Sequence, residues 1–197
     1  LDVTSPNAAE QAMLGSIQKF GGLDILISNA GAAHAGPMLS ISEDDLRDAF
    51  ELNFFSHYSF STAAAKIFRN QNRGGQILFN ISKQAVNPGK NFGAYGMPKA
   101  TTFFLMKQLA LELGANGIRV NGVNADRIRS GLLTDDFISS RAKSRGVSES
   151  DYMAGNLLNK EVTAEHVADA FTSLACAEST TGHVMTVDGG NIEASLR

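Results

Sequence analysis

The sequence of 197 residues contains no tryptophan, four prolines and a single cysteine. One cysteine excludes an internal disulfide framework and suits a reducing, cytoplasmic compartment, where we expect Cys176 to be a small buried side chain. No apolar run approaches the roughly 18 residues that a membrane-spanning helix needs. A basic cluster is also lacking, since 17 basic residues stand against 20 acidic ones. We therefore expect neither a membrane nor a nucleic acid as a partner.

Histidine is scarce as well, and the four histidines show no spacing typical of metal ligands. We therefore predict no metal site. What the chain does contain is 43% hydrophobic and 19% charged residues, a composition typical of a globular domain. Its length suits one domain of ordinary size, and we predict that residues 1–197 form a single domain.

Helical and extended segments alternate along the chain. Ser5 and Pro6 predict the start of a first helix. Short apolar runs typical of parallel strands buried on both faces occur at 23–28, 76–81, 118–124 and 184–187. Helical patterns lie between them at 42–70, 94–116 and 163–177, and residues 125–160 predict short helices that form a lid. The alternation predicts an α/β fold with a doubly wound parallel sheet, Rossmann-like and three-layered (α/β/α).

One pair of side chains suggests acid–base chemistry. Tyr95 and Lys99 are four residues apart, a spacing that places both on one face of a helix. Ser82, on the preceding loop, can meet them across a pocket. Free tyrosine has a pKa near 10, so we expect the Lys99 ammonium to lower the pKa of Tyr95 toward the working range. The pair alone is also compatible with an ordinary solvated helical pair.

Polar residues follow several predicted strands. Asn29, Ser82 and Asn124 each fall at or just after a strand's carboxyl end. In open α/β sheets, ligands bind beyond these ends. We therefore expect the three residues to border one ligand site.

Together these features resemble the short-chain dehydrogenase/reductase family in its classical form. The matching elements, in the family's order, are Asp2-Val3, Asn29-Ala30-Gly31, Asn53, Ser82, Tyr95 and Lys99. A lone Tyr-x-x-x-Lys pair is a weak signal, whereas six ordered elements along nearly the whole chain are a specific one.

The resemblance implies a site and a reaction. It implies catalytic roles for Asn53, Ser82, Tyr95 and Lys99. It also implies NAD or NADP, with NAD slightly favoured, bound by Asp2, Val3, Asn29, Ala30, Gly31, Tyr95 and Lys99. The reaction would interconvert an alcohol and a carbonyl on a small hydroxy-aldehyde, sugar or sugar phosphate, with Tyr95 as the acid/base. The implied assembly is a homodimer or homotetramer.

The chain departs from the family pattern in two places. The glycine-rich turn that receives the pyrophosphate, and the strands around it, are missing, so we expect an N-terminally incomplete domain. Asn124 is followed by Ala125 and Asp126, where most members have Pro-Gly. Residues 131–162 resemble the dehydrogenase part of bifunctional rhamnulose-phosphate aldolase/short-chain dehydrogenases, which implies an aldolase domain upstream.

Two other interpretations stay open on the sequence. Because half of the expected cofactor-binding site is missing, the chain is also compatible with a non-catalytic fragment or scaffold that needs upstream sequence to bind a nucleotide. An extended-family sugar-nucleotide epimerase or dehydratase also uses Tyr-x-x-x-Lys. We disfavour the latter because the tail ending at Arg197 leaves little room for its substrate domain.

Overall fold

A computed structural model describes residues 1–191, and within them four parallel strands form one sheet. The strands lie in the order in which they occur: β1 (Ile25–Ser28), β2 (Gly75–Asn80), β3 (Ile118–Ala125) and β4 (Val184–Val187). The helices are α1 (Ala8–Phe20), α2 (Glu43–Phe50), α3 (Ser56–Gln71), α4 (Gly93–Leu113), α5 (Asp135–Arg145), α6 (Glu149–Met153) and α7 (Ala164–Cys176). The tail through Arg197, on which the argument against an epimerase rests, lies outside the described residues.

The sheet separates two apolar layers, because successive side chains of a strand point to opposite faces. Ile77 and Phe79 of β2 pack with Phe68 of α3 in a core that also includes residues of α1 and α4. Leu78, between them, packs on the other face with Phe171 of α7. The predicted doubly wound, three-layered α/β/α fold is therefore confirmed.

Strand β1 differs from its prediction. The apolar run predicts a strand covered on both faces, yet Ile25 and Ile27 are 40% and 52% exposed. The reason is the position of β1 at the end of the described sheet: α7 packs on β2, β3 and β4. One face of β1 therefore remains open and borders a cavity described below.

Two smaller predictions are wrong. Helix α1 begins at Ala8, and its N-cap is Asn7 with a left-handed φ of 61°, instead of Ser5. Cys176 is exposed, although we expected it to be buried. It lies two residues after the buried Leu174 on α7, and two residues span about 200° of a helix, so the two side chains point in opposite directions.

The long helix predicted over residues 42–70 is present with one interruption. Helices α2 and α3 are joined by one π-helical segment, Glu51–Phe55, which carries Asn53. Ser42 caps α2, since its Oγ accepts a hydrogen bond from the Asp45 N–H at 3.0 Å. The predicted lid is also present as α5 and α6, which share a small apolar core that includes Ile138 and Met153.

Within residues 1–191, no helix combines the length and apolarity that a membrane span requires. In the same range, no group of three or more histidine, cysteine, aspartate or glutamate side chains is arranged to hold a metal ion.

Candidate active site

The carboxyl ends of the strands meet at one edge of the sheet, and the site is built there. Asn29 directly follows β1, and its Oδ1 accepts a hydrogen bond from Nδ2 of Asn80, the last residue of β2, at 2.7 Å. Ser82 follows two residues later and opens a short 3₁₀ turn, whose Gln84 N–H donates to the Ser82 Oγ at 3.2 Å. The turn fixes the Ser82 hydroxyl at the edge formed by the carboxyl ends of the strands.

Tyr95 and Lys99 lie in the first turns of α4 and face this edge. Their exposed fractions are only 7% and 2%. Tyr95 shares a side-chain hydrogen bond with Ser82, and the Lys99 Nζ donates to the Asn80 carbonyl at 3.1 Å. The Lys99 Nζ is 5.9 Å from the centroid of the Tyr95 ring. The structure therefore brings Ser82, Tyr95 and Lys99 together, as the sequence predicts.

Asn53 joins this cluster from the π-helical segment. The side chain is fully buried, and its Nδ2 donates to the Ala49 and Ala32 carbonyls at 3.0 and 2.9 Å. Its Oδ1 is buried without a hydrogen-bond partner. Single π turns inside α-helices are frequent at functional sites because they redirect side chains.

Gly31 allows the close approach of these groups. A Cβ at this position would lie 2.8 Å from the Asn53 Oδ1 and 3.4 Å from the Lys99 Nζ. Any larger residue would therefore push Asn53 or Lys99 out of place. Asn53, Gly31 and Lys99 thus form one closely packed corner of the site.

Two buried side chains that hold this corner were not predicted from the sequence. Thr102 donates from Oγ1 to the Asn53 carbonyl at 2.7 Å. His57 lies one turn after Asn53, and its Nδ1 is 2.6 Å from the Ser28 Oγ at the end of β1. Burial, with the nearby Lys99 charge as a second cause, lowers the pKa of His57 to about 3, so its ring is neutral. The only sequence signal was helical spacing: Thr102 follows Lys99 by three residues, and His57 follows Asn53 by four.

We expect Thr102→Val to lower the free energy of unfolding by about 1–3 kcal/mol, because the buried Asn53 carbonyl would lose its partner. Chemical denaturation measures this loss. The matched control is Thr101→Val, which removes a solvent-exposed bond to the Met97 carbonyl and is expected to cost less. Equal losses in the two variants would contradict a specific role for Thr102.

The pKa of Tyr95 shifts in the direction opposite to the one we expected from its lysine neighbour. Burial raises the pKa of Tyr95 above its usual value of 10, and only the hydrogen bond with Ser82 opposes that rise. Burial also lowers the pKa of Lys99 to about 8. A buried ammonium with a depressed pKa is therefore present, but the net shift of the tyrosine in this structure is upward. In this state Tyr95 is a protonated hydrogen-bond donor near neutral pH.

Two cavities meet at Tyr95. The first has a volume of about 350 Å³ and extends from Ser82 and Phe92 toward the lid helices. The second, about 700 Å³, extends along Asn29, Gly31 and Lys99 toward α7. The residues that line both cavities are Asn80, Tyr95, Ala125, Ile128, Ser130 and Leu132. A group bound in either cavity would therefore reach the Tyr95 side chain.

The remaining predicted residues are placed differently. Asp2 is exposed, and its carboxylate accepts hydrogen bonds from the N–H and the hydroxyl of Thr4 at 2.9 and 2.8 Å. Neither Asp2, Val3 nor Ala30 lines the two cavities at Tyr95. Their role in cofactor binding stays a prediction.

The second departure from the family pattern gives a buried charged cluster. Asp126, whose side chain is 11% exposed, lies 3.2 Å from the Lys83 Nζ and 3.5 Å from the Arg127 Nε. It also accepts a hydrogen bond from the Asn191 Nδ2 at 2.5 Å. This cluster ties the loop after β3 to the loop after β2, at the wall of the first cavity. In the sequence, Asp126 stands out only because it follows Asn124-Ala125 where most members of the family have Pro-Gly.

Comparison with known sequences agrees with this geometry. A family model described as Enoyl-(Acyl carrier protein) reductase matches residues 1–191. The uncharacterized oxidoreductase YuxG of Bacillus subtilis (strain 168) is 32% identical over 198 residues, which cover 96% of this chain and 29% of YuxG. L-2,3-butanediol dehydrogenase of Corynebacterium glutamicum is 30% identical over 195 residues, which cover 96% of this chain and 76% of that protein. The chain thus spans less than a third of the first relative.

Solved structures match over nearly the whole chain. Acetoin dehydrogenase from Enterobacter cloacae superposes with a TM-score of 0.83 at 29% identity, covering 99% of this chain and 74% of its own. ElxO with NADP bound gives 0.85 at 26% identity, covering 98% and 76%. The fold is that of a Rossmann-like α/β protein. The chain belongs to the short-chain dehydrogenase/reductase family, a family of oxidoreductases.

Proposed function

We propose that the protein is an NAD(P)-dependent oxidoreductase that interconverts an alcohol and a carbonyl on a small hydroxy-aldehyde, sugar or sugar phosphate. The observation that carries the proposal is the position of Tyr95 on the boundary of two cavities, with Ser82 on one side and Lys99 on the other. A two-substrate reaction needs such a shared wall. The butanediol dehydrogenase among the relatives, which is named for a small hydroxylated substrate, supports the same class.

The second cavity has the groups that the nicotinamide half of a dinucleotide requires. Lys99 can donate three hydrogen bonds, and it uses one on the Asn80 carbonyl. Asn53 presents a buried Oδ1 without a partner beside it. We propose that Lys99, Tyr95, Asn29 and Gly31 hold the nicotinamide ribose there. The nucleotide is NAD or NADP, and NAD is the first to test. The cofactor supplies or accepts the hydride.

The chain's own side chains would handle the proton. The Tyr95 hydroxyl donates a proton to the carbonyl oxygen during reduction and accepts it from the alcohol during oxidation. Ser82 orients the same oxygen. Lys99 stabilises the Tyr95 phenolate that reduction leaves behind, because a nearby ammonium favours the charged form. Asn53, whose buried Oδ1 lies without a partner beside Lys99, would help to carry a water relay toward it. The raised pKa of Tyr95 favours the protonated form that reduction needs.

An absorbance assay of nicotinamide reduction, on the protein at its natural full length, tests this proposal. A panel of vicinal diols, small hydroxy-aldehydes, sugars and sugar phosphates is offered with NAD and with NADP, and at least one compound should give turnover that saturates with both substrates. The second candidate function is a non-catalytic scaffold. It stays open because this chain matches only 29% of the length of YuxG. Nucleotide binding without turnover of any compound in the panel would favour the scaffold.

An upstream aldolase domain remains a proposal that rests on the resemblance of residues 131–162 alone. Intact-mass measurement of the protein from its natural source tests it directly. A mass near 20.9 kDa would contradict it. A cytoplasmic location stays an interpretation of the low cysteine content.

The outer face of α4 is suited to a second copy of this chain. Met97, Phe104 and Leu111 follow one another at intervals of seven residues and are 38%, 69% and 79% exposed. A stripe with this period pairs well with its own copy across a twofold axis. We therefore keep the homodimer or homotetramer as our proposal.

We expect Phe104→Glu to convert the assembly into smaller species, because it places a carboxylate in the centre of this stripe. Size-exclusion chromatography with light scattering measures the change. Phe20→Glu, which alters an equally exposed phenylalanine on α1, is the control and should leave the assembly intact. An unchanged mass of the Phe104 variant would contradict the assignment of this face.

A further inference from the structure

The first cavity carries an excess of positive charge that the general reaction does not explain. Its cationic lining residues are Lys83, Lys90, Arg127, Arg141 and Arg145. Among residues 1–191, one carboxylate lines it, that of Asp126. The walls come from the loop after β2 on one side and from the lid helix α5 on the other. A neutral diol or sugar would not need a positively charged lining.

Part of this charge is neutralised inside the protein. The buried Asp126 is paired with Lys83 and Arg127. Within residues 1–191, no carboxylate lies within ion-pair distance of the other three cations, Lys90, Arg141 and Arg145. By contrast, Arg129 on the side of the second cavity is paired with both Asp135 and Glu161. Of the lining cations that have no ion pair within residues 1–191, three line the first cavity and one, Lys99, lines the second.

Arg141 is the cation that is best placed to bind a ligand. Its guanidinium carbon is 5.6 Å from the centroid of the Phe92 ring and 5.9 Å from that of Phe137. These rings restrict its position, and its Nε is buried without an acceptor. A planar guanidinium in this state matches a carboxylate or phosphate group, which accepts two parallel hydrogen bonds.

The position of Arg141 also relates it to the reaction centre. Phe92 is the N-cap residue of α4, and its carbonyl accepts the Tyr95 N–H at 3.2 Å. Arg141 and Tyr95 both line the 350 Å³ cavity, which has room for a compound of a few carbons with one anionic group. One end of such a molecule can meet Arg141 while its hydroxyl or carbonyl oxygen meets the Tyr95 hydroxyl.

We propose that the first cavity selects an anionic substrate, a hydroxy or carbonyl compound that carries a phosphate or carboxylate group, and that Arg141 binds this group. Lys90 and Arg145 add positive charge at the mouth of the cavity, where both are exposed. The inference rests on the proposed function and narrows its substrate class. It favours the sugar phosphate over the neutral hydroxy-aldehyde or sugar.

The test compares three probes of one carbon skeleton: glycerol, glycerol 3-phosphate and glycerate. Calorimetric titration into the full-length protein, at low salt and without nucleotide, measures binding independently of turnover. We expect at least one anionic probe to bind at least tenfold more tightly than glycerol. The stronger of the two anions identifies the group. Tighter or equal binding of glycerol would overturn the inference.

Variants assign the effect to Arg141. Arg141→Gln should reduce the preference for the anionic probe to less than threefold, and Arg141→Lys should retain part of it. Lys143→Gln is the matched control, because Lys143 lies on the same helix, is exposed and does not line the cavity. It should keep the wild-type preference, which also excludes a general effect of net charge. A preference that survives in Arg141→Gln, or falls equally in Lys143→Gln, contradicts the assignment.

The outcomes for the inference and for the proposed function are distinguishable. Anion binding that depends on Arg141, without any nicotinamide-linked turnover, would support the inference and contradict the oxidoreductase. Turnover of neutral diols with no preference for the anionic probes would support the oxidoreductase and overturn the inference.

Discussion

Replacing Tyr95 with phenylalanine is expected to lower kcat by about 10²- to 10⁴-fold, the usual contribution of a positioned acid/base. The ring of Tyr95 is buried and packs at the boundary of both cavities, so phenylalanine preserves the shape of the site and removes only the hydroxyl. The dissociation constant of NAD(P) should change far less than kcat, because Lys99, Asn29 and Gly31 still hold the ribose. Steady-state kinetics and nucleotide titration on the same preparation measure the two effects.

The control for this variant is Tyr58→Phe. Tyr58 lies on α3 and is 48% exposed, so removal of its hydroxyl should leave kcat unchanged. Turnover by Tyr95→Phe within a factor of five of the wild type would show that another group carries the proton. A parallel loss of nucleotide binding would instead indicate a damaged cavity.

Lys99→Met is expected to change how stability depends on pH. Burial lowers the pKa of Lys99 to about 8, against 10.5 for an exposed lysine. Below pH 8 the folded protein holds a buried ammonium at a cost. Between about pH 8 and 10.5 the folded state has released this proton while the unfolded state still binds it, so the stability of the wild type rises with pH. The rise amounts to about 3 kcal/mol relative to a variant without this group.

Denaturant unfolding of the wild type and of Lys99→Met at several pH values measures this difference. The free energy of unfolding of the wild type, minus that of the variant, should increase across this window. Lys143→Met, which removes an exposed lysine, corrects for general effects of lost charge and should show no such increase. A flat difference for Lys99→Met would mean that Lys99 has an ordinary pKa in the folded protein.

Local sequence patterns predicted most of the fold. Short apolar runs placed β2, β3 and β4 to within one residue at each end, and the helical pattern over 163–177 placed α7. The open face of β1 was not predictable, because a continuous apolar run looks the same whether one or both faces are covered. The sequence also gave no sign of the π-helical segment at Asn53, which depends on packing between α2, α3 and α4.

The site was predictable where spacing along the chain determines geometry. Tyr95 and Lys99 share a helix face by their separation alone. Thr102 and Asn53 are 49 residues apart, so their bond depends on how two helices pack. The pKa of Tyr95 was expected to fall because of its charged neighbour. Burial instead raises the pKa of Tyr95, and burial depends on the whole fold.

The charge of the substrate cavity is a further example. Arg141 and Lys90 are 51 positions apart in the sequence, and only Arg141 lies in a stretch, residues 131–162, that was used for a resemblance. The folded lid brings α5 beside the loop after β2, so that both line one cavity. Only then does the positive lining become visible, and with it the basis for proposing an anionic substrate.

The central claim is that Tyr95 divides a nucleotide cavity from a substrate cavity. A crystal structure of the full-length protein with NADP or NAD bound tests it most directly. The account predicts the nicotinamide ribose in the cavity of Asn29, Gly31 and Lys99, within hydrogen-bonding distance of the Lys99 Nζ, with the first cavity left free beside Tyr95. A nicotinamide ring found in the cavity of Phe92 and Arg141, or away from Tyr95, would contradict it.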